Sequence, residues 1–256
     1  MDNINELVNE KVKEIEANEN VKVLLAVESG SRAWGFDSPD SDYDVRFIYK
    51  RNETDYLRLE GIRDVIEWQL DDTLDISGWD IQKSLRLLYR SNPTLFEWFN
   101  SDVVYYQTEE INILRDILPQ FFSKKKSLYH YLNMARTNNK QSIQNGDHMI
   151  SIKKYFYVLR AILACQWIIE KNTNPPMKFT DLVNNQLTGP IKEIITDLLD
   201  KKMNVPELKM IKKNPELDKF ITDNLISIED IIKGIPENNN DWQLLNDTFV
   251  RLIREA

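Results

Sequence analysis

The sequence predicts an α+β protein, with a sheet-bearing part over 1–122 followed by an all-helical part over 123–256. Three observations predict it. Short apolar runs bounded by glycine, proline, asparagine and aspartate lie between residues 21 and 79, the pattern of strands joined by turns. Beyond about residue 111 the apolar residues recur instead at helical spacing. The 256 residues carry 42% hydrophobic side chains, enough for a real core, with no internal repeat or low-complexity stretch.

Leu7, Val8, Val12 and Ile15 mark one side of an amphipathic N-terminal helix, and Asn18 and Asn20 break it. The run 21–27 then reads as a buried strand, and Gly30, Gly35 and Pro39 punctuate the loop after it. A strand begun near Asp42 continues over 45–49, and after a polar connection at 51–54 two more strands occupy 65–68 and 74–79. Asp71 and Asp72 form the expected turn between them. From Ile81 the period becomes helical, with Leu85, Leu88 and Tyr89 on one side, until Asn92-Pro93 stops it. Asn92 is read as a C-cap or a site residue. Helices follow at 94–99, 111–122, 127–144 and 152–171, with almost nothing but helices beyond 111, and 238–240 reads as a loop. The boundary between the parts falls near 121–126, without a flexible linker.

A formal charge of −8 argues against a protein that grips long duplexes through a uniformly basic surface. One cysteine, Cys165 in an apolar run, rules out an internal disulfide framework and fits a reducing compartment, with core packing as its role. His130 and His148 lack ligand-spaced partners, which argues against zinc. No segment has the length and apolarity of a membrane span, and the first twenty residues or so lack the apolar stretch of a signal peptide. A cytoplasmic protein is the expectation.

The chemistry concentrates between Glu28 and Arg46. Residues i and i+2 of a strand share a face, so Asp42 and Asp44 can offer two carboxylates to one divalent cation while Tyr43 points away. Such hard oxygens suit Mg²⁺, which takes a few carboxylates together with water and phosphate. Gly30 permits a tight turn and close backbone approach, leaving amides and the Ser31 hydroxyl to hold a phosphate, with Arg32 as a charged contact. Asp-x-Asp or a Gly-Ser turn alone is common; their succession after an apolar strand is specific.

A strand, a Gly-Ser turn, about ten residues and Asp-x-Asp resemble the signature of the DNA polymerase β nucleotidyltransferase superfamily, matched here by Gly30, Ser31, Asp42 and Asp44. The run Gly30-Ser31-Arg32-Ala33-Trp34-Gly35, the stretches 77–83 and 92–98, and the helix at 153–160 are similar to the branch associated with RNA ligases and RNA repair. The resemblance extends to about residue 183. It implies a polymerase-β-like catalytic domain with a mixed sheet and flanking helices over 1–122, and an all-α domain over 123–256 that closes on the nucleotide. It implies two Mg²⁺ ions, with Mn²⁺ as an alternative, and an NTP whose nucleoside monophosphate passes to an acceptor hydroxyl as pyrophosphate leaves. An RNA end is the acceptor suggested by the branch. A small molecule, a protein, or an inactive nucleotide-binding regulator on the same fold are the other readings, and the acidity of the chain favours a non-RNA acceptor.

The resemblance also implies a third carboxylate on a neighbouring strand. Asp80 is the choice, because it ends an apolar strand and precedes an aliphatic residue; its alternative role is N-cap of the helix from Ile81. Asp75 lies on the opposite face of that strand from Asp80, and Glu67 is a weaker candidate. Lys83, in the first turn of the helix, reaches for a phosphate or stays solvated. Lys153, Tyr157 and Arg160 share a helix side at i, i+4, i+7. They offer cations to the phosphates and a ring to the base, or form a solvated basic stripe over a packed tyrosine. Lys124-Lys125-Lys126 reads as a solvated helix start or an acceptor contact. Asp37, Asp40 and Asp72 read as turn formers, and Glu97 and Trp98 as structural.

Overall fold

The computed structural model describes residues 2–71, 73–142, 148–206, 209–236 and 241–254. In chain order the elements are α1 (Asp2–Glu19), β1 (Lys22–Glu28), α2 (Gly30–Trp34), β2 (Tyr43–Lys50), α3 (Glu53–Tyr56), β3 (Val65–Asp71), β4 (Leu74–Asp80), α4 (Ile81–Tyr89), α5 (Pro93–Phe99), β5 (Val104–Gln107) and α6 (Ile111–Ile117). A 3-10 turn, Leu118–Phe121, precedes α7 (Lys124–Ser142), β6 (Met149–Ser151), α8 (Ile152–Lys171), α9 (Phe179–Gln186), α10 (Gly189–Met203), β7 (Met210–Lys212), α11 (Pro215–Lys233) and α12 (Gln243–Arg254). The expected turn at Asp72 and the loop at 238–240 lie outside the described residues. No helix among the described residues is long and apolar enough to cross a membrane.

The chain divides into two compact units: Met1–Ala33, Asp42–Phe121 and Asn239–Ala256 form one, and Trp34–Ser41 with Phe122–Asn238 form the other. The division expected between 122 and 123 is corrected at two segments. Residues 34–41 belong to the helical unit and the C-terminal segment to the sheet unit. Amphipathicity shows that a helix buries a face, not which core receives it.

The sheet runs β3-β4-β2-β1-β5, with β2 and β4 parallel and the other pairs antiparallel. Alternation along β2 decides its layers. Val45, Phe47 and Tyr49 share a core with Val8, Val12 and Ile15 of α1 and with Leu74 and Ile76 of β4. Period two then turns Asp44, Arg46 and Asp75 to the opposite face. Gly78 is where β4 meets the Phe47 ring: a Cβ there would lie 2.2 Å from it. The C-terminal helix α12 buries Leu245, Thr248 and Leu252. Buried Lys50 ties it down, donating to the Leu252 carbonyl at 2.8 Å while pairing with Glu110 at 2.7 Å. Trp242 stacks on Tyr89 with centroids 3.7 Å apart.

In the helical unit, α8 is the central element, with twelve of its residues buried, Cys165 among them. Burial pushes that thiol upward, so it is held neutral, as packing predicts. Phe36, fully buried, enters the same core against Phe156 and Phe179 at 5.3 and 5.6 Å. Beyond 111 the described elements are helices almost throughout, as expected; the exception is β6 and β7, an antiparallel pair of three-residue strands too short to show a period.

Asp80 caps α4: its Oδ1 accepts from the Gln82 amide at 2.7 Å and its Oδ2 from the Tyr56 hydroxyl at 2.9 Å. Asn92 is likewise an N-cap rather than a C-cap, accepting from the Thr94 amide at 2.9 Å. Glu97 and Trp98 are buried, with Trp98 against Trp79 at 4.0 Å. Asp80 is fully buried, and burial pushes its carboxyl up to about 6 in spite of the amide and hydroxyl that favour its charge. Between the unfolded value of about 3.9 and this raised one, the native state holds a proton that the unfolded chain has released, so stability falls as pH rises through that window. The expected size is on the order of 3 kcal/mol. Asp80→Asn keeps an acceptor for Gln82 and removes the ionisation, so its urea-unfolding free energy, measured from pH 4 to pH 7, should lack that fall. Parallel pH profiles for the two proteins would remove Asp80 as its source.

Candidate active site

The site starts from one strand register. In the parallel β2–β4 pair Asp44 stands opposite Asp75, whereas Asp80 stands opposite Tyr49 at the far end of both strands. Five residues of strand separate the two positions, roughly 16 Å. Asp80 also has the parity of Leu74 and Ile76, which face the α1 core. The expectation that Asp80 joins Asp42 and Asp44 is therefore corrected on two counts, strand end and sheet face. Lys83 goes with it, on α4 with its Nζ 3.3 Å from Asp64. Glu67, exposed on β3, pairs with Ser77 two residues past Asp75.

Asp44 and Asp75 are joined by one side chain. Arg46 Nη2 donates to Asp44 Oδ1 at 2.9 Å and to Asp75 Oδ2 at 2.8 Å, and its Nη1 donates to the carbonyls of Val45 at 3.0 Å and Asp75 at 3.1 Å. The Asp44 carboxylate is 30% exposed and that of Asp75 53%, so both remain reachable from solvent. Asp42, exposed, precedes β2 by one residue. Its carbonyl accepts from Arg32 Nε at 3.1 Å, and the Arg32 guanidinium lies 4.0 Å from the centre of the Tyr43 ring. Arg32 thus braces the loop.

Two residues fix Asp44. Gly30 opens α2 at φ +62°, and a Cβ there would lie 1.9 Å from Asp44 Oδ2, so glycine is required both by its backbone and by the carboxylate against it. The Gly-Ser turn is thus the start of a short helix, with the Ser29 amide donating to the Asp44 carbonyl at 2.8 Å. Ser31 is recessed, at 3% exposure.

Glu28 is the residue missed by sequence reasoning. It ends β1 at 1% exposure, its Oε1 accepting the Asp44 amide at 2.9 Å and its Oε2 the Tyr105 hydroxyl at 2.5 Å. Burial raises its pKa above the ordinary carboxylate value, against the Tyr105 and Asp44 hydrogen bonds. The signal was present: an acid closing a wholly apolar run.

Among the described residues no three His, Cys, Asp or Glu side chains are grouped as a metal cage. Asp44 and Asp75, with Asp42 two residues before Asp44, nevertheless fit a hard cation that takes one or two carboxylates and fills its shell with water and phosphate oxygens. They do not fit zinc.

In the helical unit, Arg160 is buried at 2% exposure with its guanidinium 4.3 Å from the Trp34 ring centre, and Tyr157 meets the same indole edge-on at 5.3 Å. Tyr157 and Arg160, expected to meet a nucleotide or to form a solvated stripe over a packed tyrosine, pack on Trp34. Lys153 is half-buried, its Nζ 5.7 Å from the Tyr157 ring. Lys124 donates to the Ile169 carbonyl at 2.8 Å, a structural use of that basic run.

The profile of the RNA repair pathway DNA polymerase beta family matches residues 4–251. "Uncharacterized protein YcgL" of Bacillus subtilis (strain 168) is 44% identical over 250 residues, 96% of this chain and 95% of that protein. "Uncharacterized protein 062L" of Invertebrate iridescent virus 6 is 28% identical over 155 residues, 58% of this chain and 82% of that one. The crystal structure of a nucleotidyltransferase-like protein from Exiguobacterium sibiricum 255-15 is similar at a TM-score of 0.31 and 13% identity, covering 99% of this chain and 80% of that one. A sheet that sets Gly30 against Asp44 and the family profile along almost the whole length lead to one assignment: this chain belongs to the RNA repair pathway DNA polymerase beta family, a family of polymerase β-type nucleotidyltransferases.

Proposed function

We propose that the chain moves a nucleoside monophosphate from an NTP to an acceptor hydroxyl, using divalent cations held by Asp42, Asp44 and Asp75. The observation that carries this reading is the pairing of the Asp44 and Asp75 carboxylates on one sheet face, with Gly30 against Asp44. Mg²⁺, or Mn²⁺ in its place, would there neutralise charge on the phosphoryl oxygens and lower the pKa of the acceptor hydroxyl.

The residues of the chain do the rest. Backbone amides at Gly30 and Ser31 hold the β and γ phosphates, recessed so that bulk water is kept from them. Glu28 accepts the Asp44 amide and so fixes the backbone from which that carboxylate projects. Asp75, the more open carboxylate, takes the hydroxyl proton as the new oxygen–phosphorus bond forms and the bond to pyrophosphate breaks. An RNA end is the acceptor in keeping with the pathway in the family's description. The net charge of −8 favours a small molecule or a protein instead.

Incubation with each labelled NTP, Mg²⁺ and, in separate reactions, cellular RNA, pooled small hydroxylated molecules and protein extract should give label transfer and pyrophosphate release with one class of acceptor. Asp44→Asn and Asp75→Asn should each lower the rate by about a hundredfold or more, while Asp80→Asn keeps it within a few-fold. Equal loss in Asp80→Asn and none in Asp75→Asn would reverse the assignment of the third carboxylate. Mg²⁺-independent nucleotide binding without transfer would make the protein a regulator on this fold. Gly30→Ala should abolish transfer, because the added methyl displaces the Asp44 carboxylate. Transfer at the wild-type rate by this variant would show that Asp44 is not needed where it stands.

A further inference from the structure

Asp44 and Asp75 are paired across neighbouring strands, where like charges directly opposite each other are destabilising. One nitrogen of Arg46 binds an oxygen of each, 2.9 and 2.8 Å away, as a small hard cation placed between them would. We propose that Arg46 is a built-in stand-in for the divalent cation. It neutralises the two carboxylates in the metal-free protein and has to leave them when a metal binds, so that metal and nucleotide bind in a linked way. This rests on the metal site proposed above.

Two positive groups cannot share the same carboxylate oxygens without strong repulsion. A metal at Asp44 and Asp75 therefore competes with the guanidinium. The Arg46 side chain is 20% exposed on the carboxylate face of β2, and its remaining bonds are to two backbone carbonyls. Once displaced, its planar fork matches phosphate oxygens, the anionic acceptors a nucleotide brings with the metal. The metal alone loses a neutralised pair and gives Arg46 nothing in return; the metal with a triphosphate supplies a new partner.

Calorimetric Mn²⁺ titration of the whole protein tests this, without nucleotide and with each of the four α,β-methylene NTPs. Both pairs are partly exposed, so Arg46→Gln should bind Mn²⁺ alone roughly three- to tenfold more tightly than wild type. The gain in Mn²⁺ affinity that the best analogue gives wild type should shrink by a similar factor. Arg46→Lys keeps a charge but cannot fork, and should show a smaller change in the same direction, which also covers the case that Arg46→Gln does not fold. If Asp44→Asn and Asp75→Asn lose Mn²⁺ binding while both Arg46 variants bind it as wild type does or more weakly, the stand-in is wrong and the metal site stands. Undiminished Mn²⁺ binding in Asp44→Asn and Asp75→Asn would overturn the metal site and, with it, this proposal.

Discussion

The parallel pairing of β2 with β4 is the constraint on which the candidate site depends. It is the one parallel pair in the five-stranded sheet, and it brings the starts of two strands to the same end. Asp44 and Asp75 become neighbours for that reason, at a position where a sheet ordinarily avoids like charge. The surroundings accommodate the conflict. Arg46 sits between the carboxylates, Glu28 accepts the Asp44 amide, and Gly30 leaves out the methyl that would collide with Asp44. Each departs from an ordinary preference: an arginine with one nitrogen shared between two acids, a glutamate buried at a strand end, a glycine with positive φ. Such departures gather at functional sites, where local preferences give way to a shared geometry.

Much of this was legible in the chain itself. The apolar run of β1, the alternation of β2 and the spacing of Asp42 and Asp44 carry the sheet and half of the site, because period two needs only neighbouring residues. The third carboxylate was not legible. Parity separates Asp75 from Asp80 but does not say which of them faces Asp44, since that turns on the register between strands some thirty residues apart in the chain. Register depends on side chains meeting in space, such as Gly78 under the Phe47 ring. The N-cap role of Asp80 is visible as an alternative, and the Gln82 amide on its Oδ1 decides it. Glu28 went unread because a strand-end acid usually faces water; here Tyr105 covers it.

The helical unit shows the same limit from another side. Lys153, Tyr157 and Arg160 fall on one helix side as spacing requires, but spacing is silent on what that side meets. It meets an indole, and a buried guanidinium over Trp34 is a packing element as much as a charge. Lys202 behaves similarly, fully buried with its Nζ 2.8 Å from Ser38 Oγ and 5.8 Å from the Phe36 ring centre. Trp34 ends α2, and Phe36 and Ser38 lie in the loop between α2 and Asp42. Ring packing and one serine thus hold residues 34–41 within the helical unit.

The return of α12 to the sheet unit has a consequence for the order in which the protein is made. The strands are synthesised first, yet the Leu252 carbonyl that receives the buried Lys50 ammonium follows more than a hundred helical-unit residues later. At ribosomal speed that interval is on the order of ten seconds. The nascent sheet must therefore wait, with its C-terminal helix missing, while the helical unit threads out and gathers in residues 34–41. The sheet unit begins before the helical unit and is completed after it.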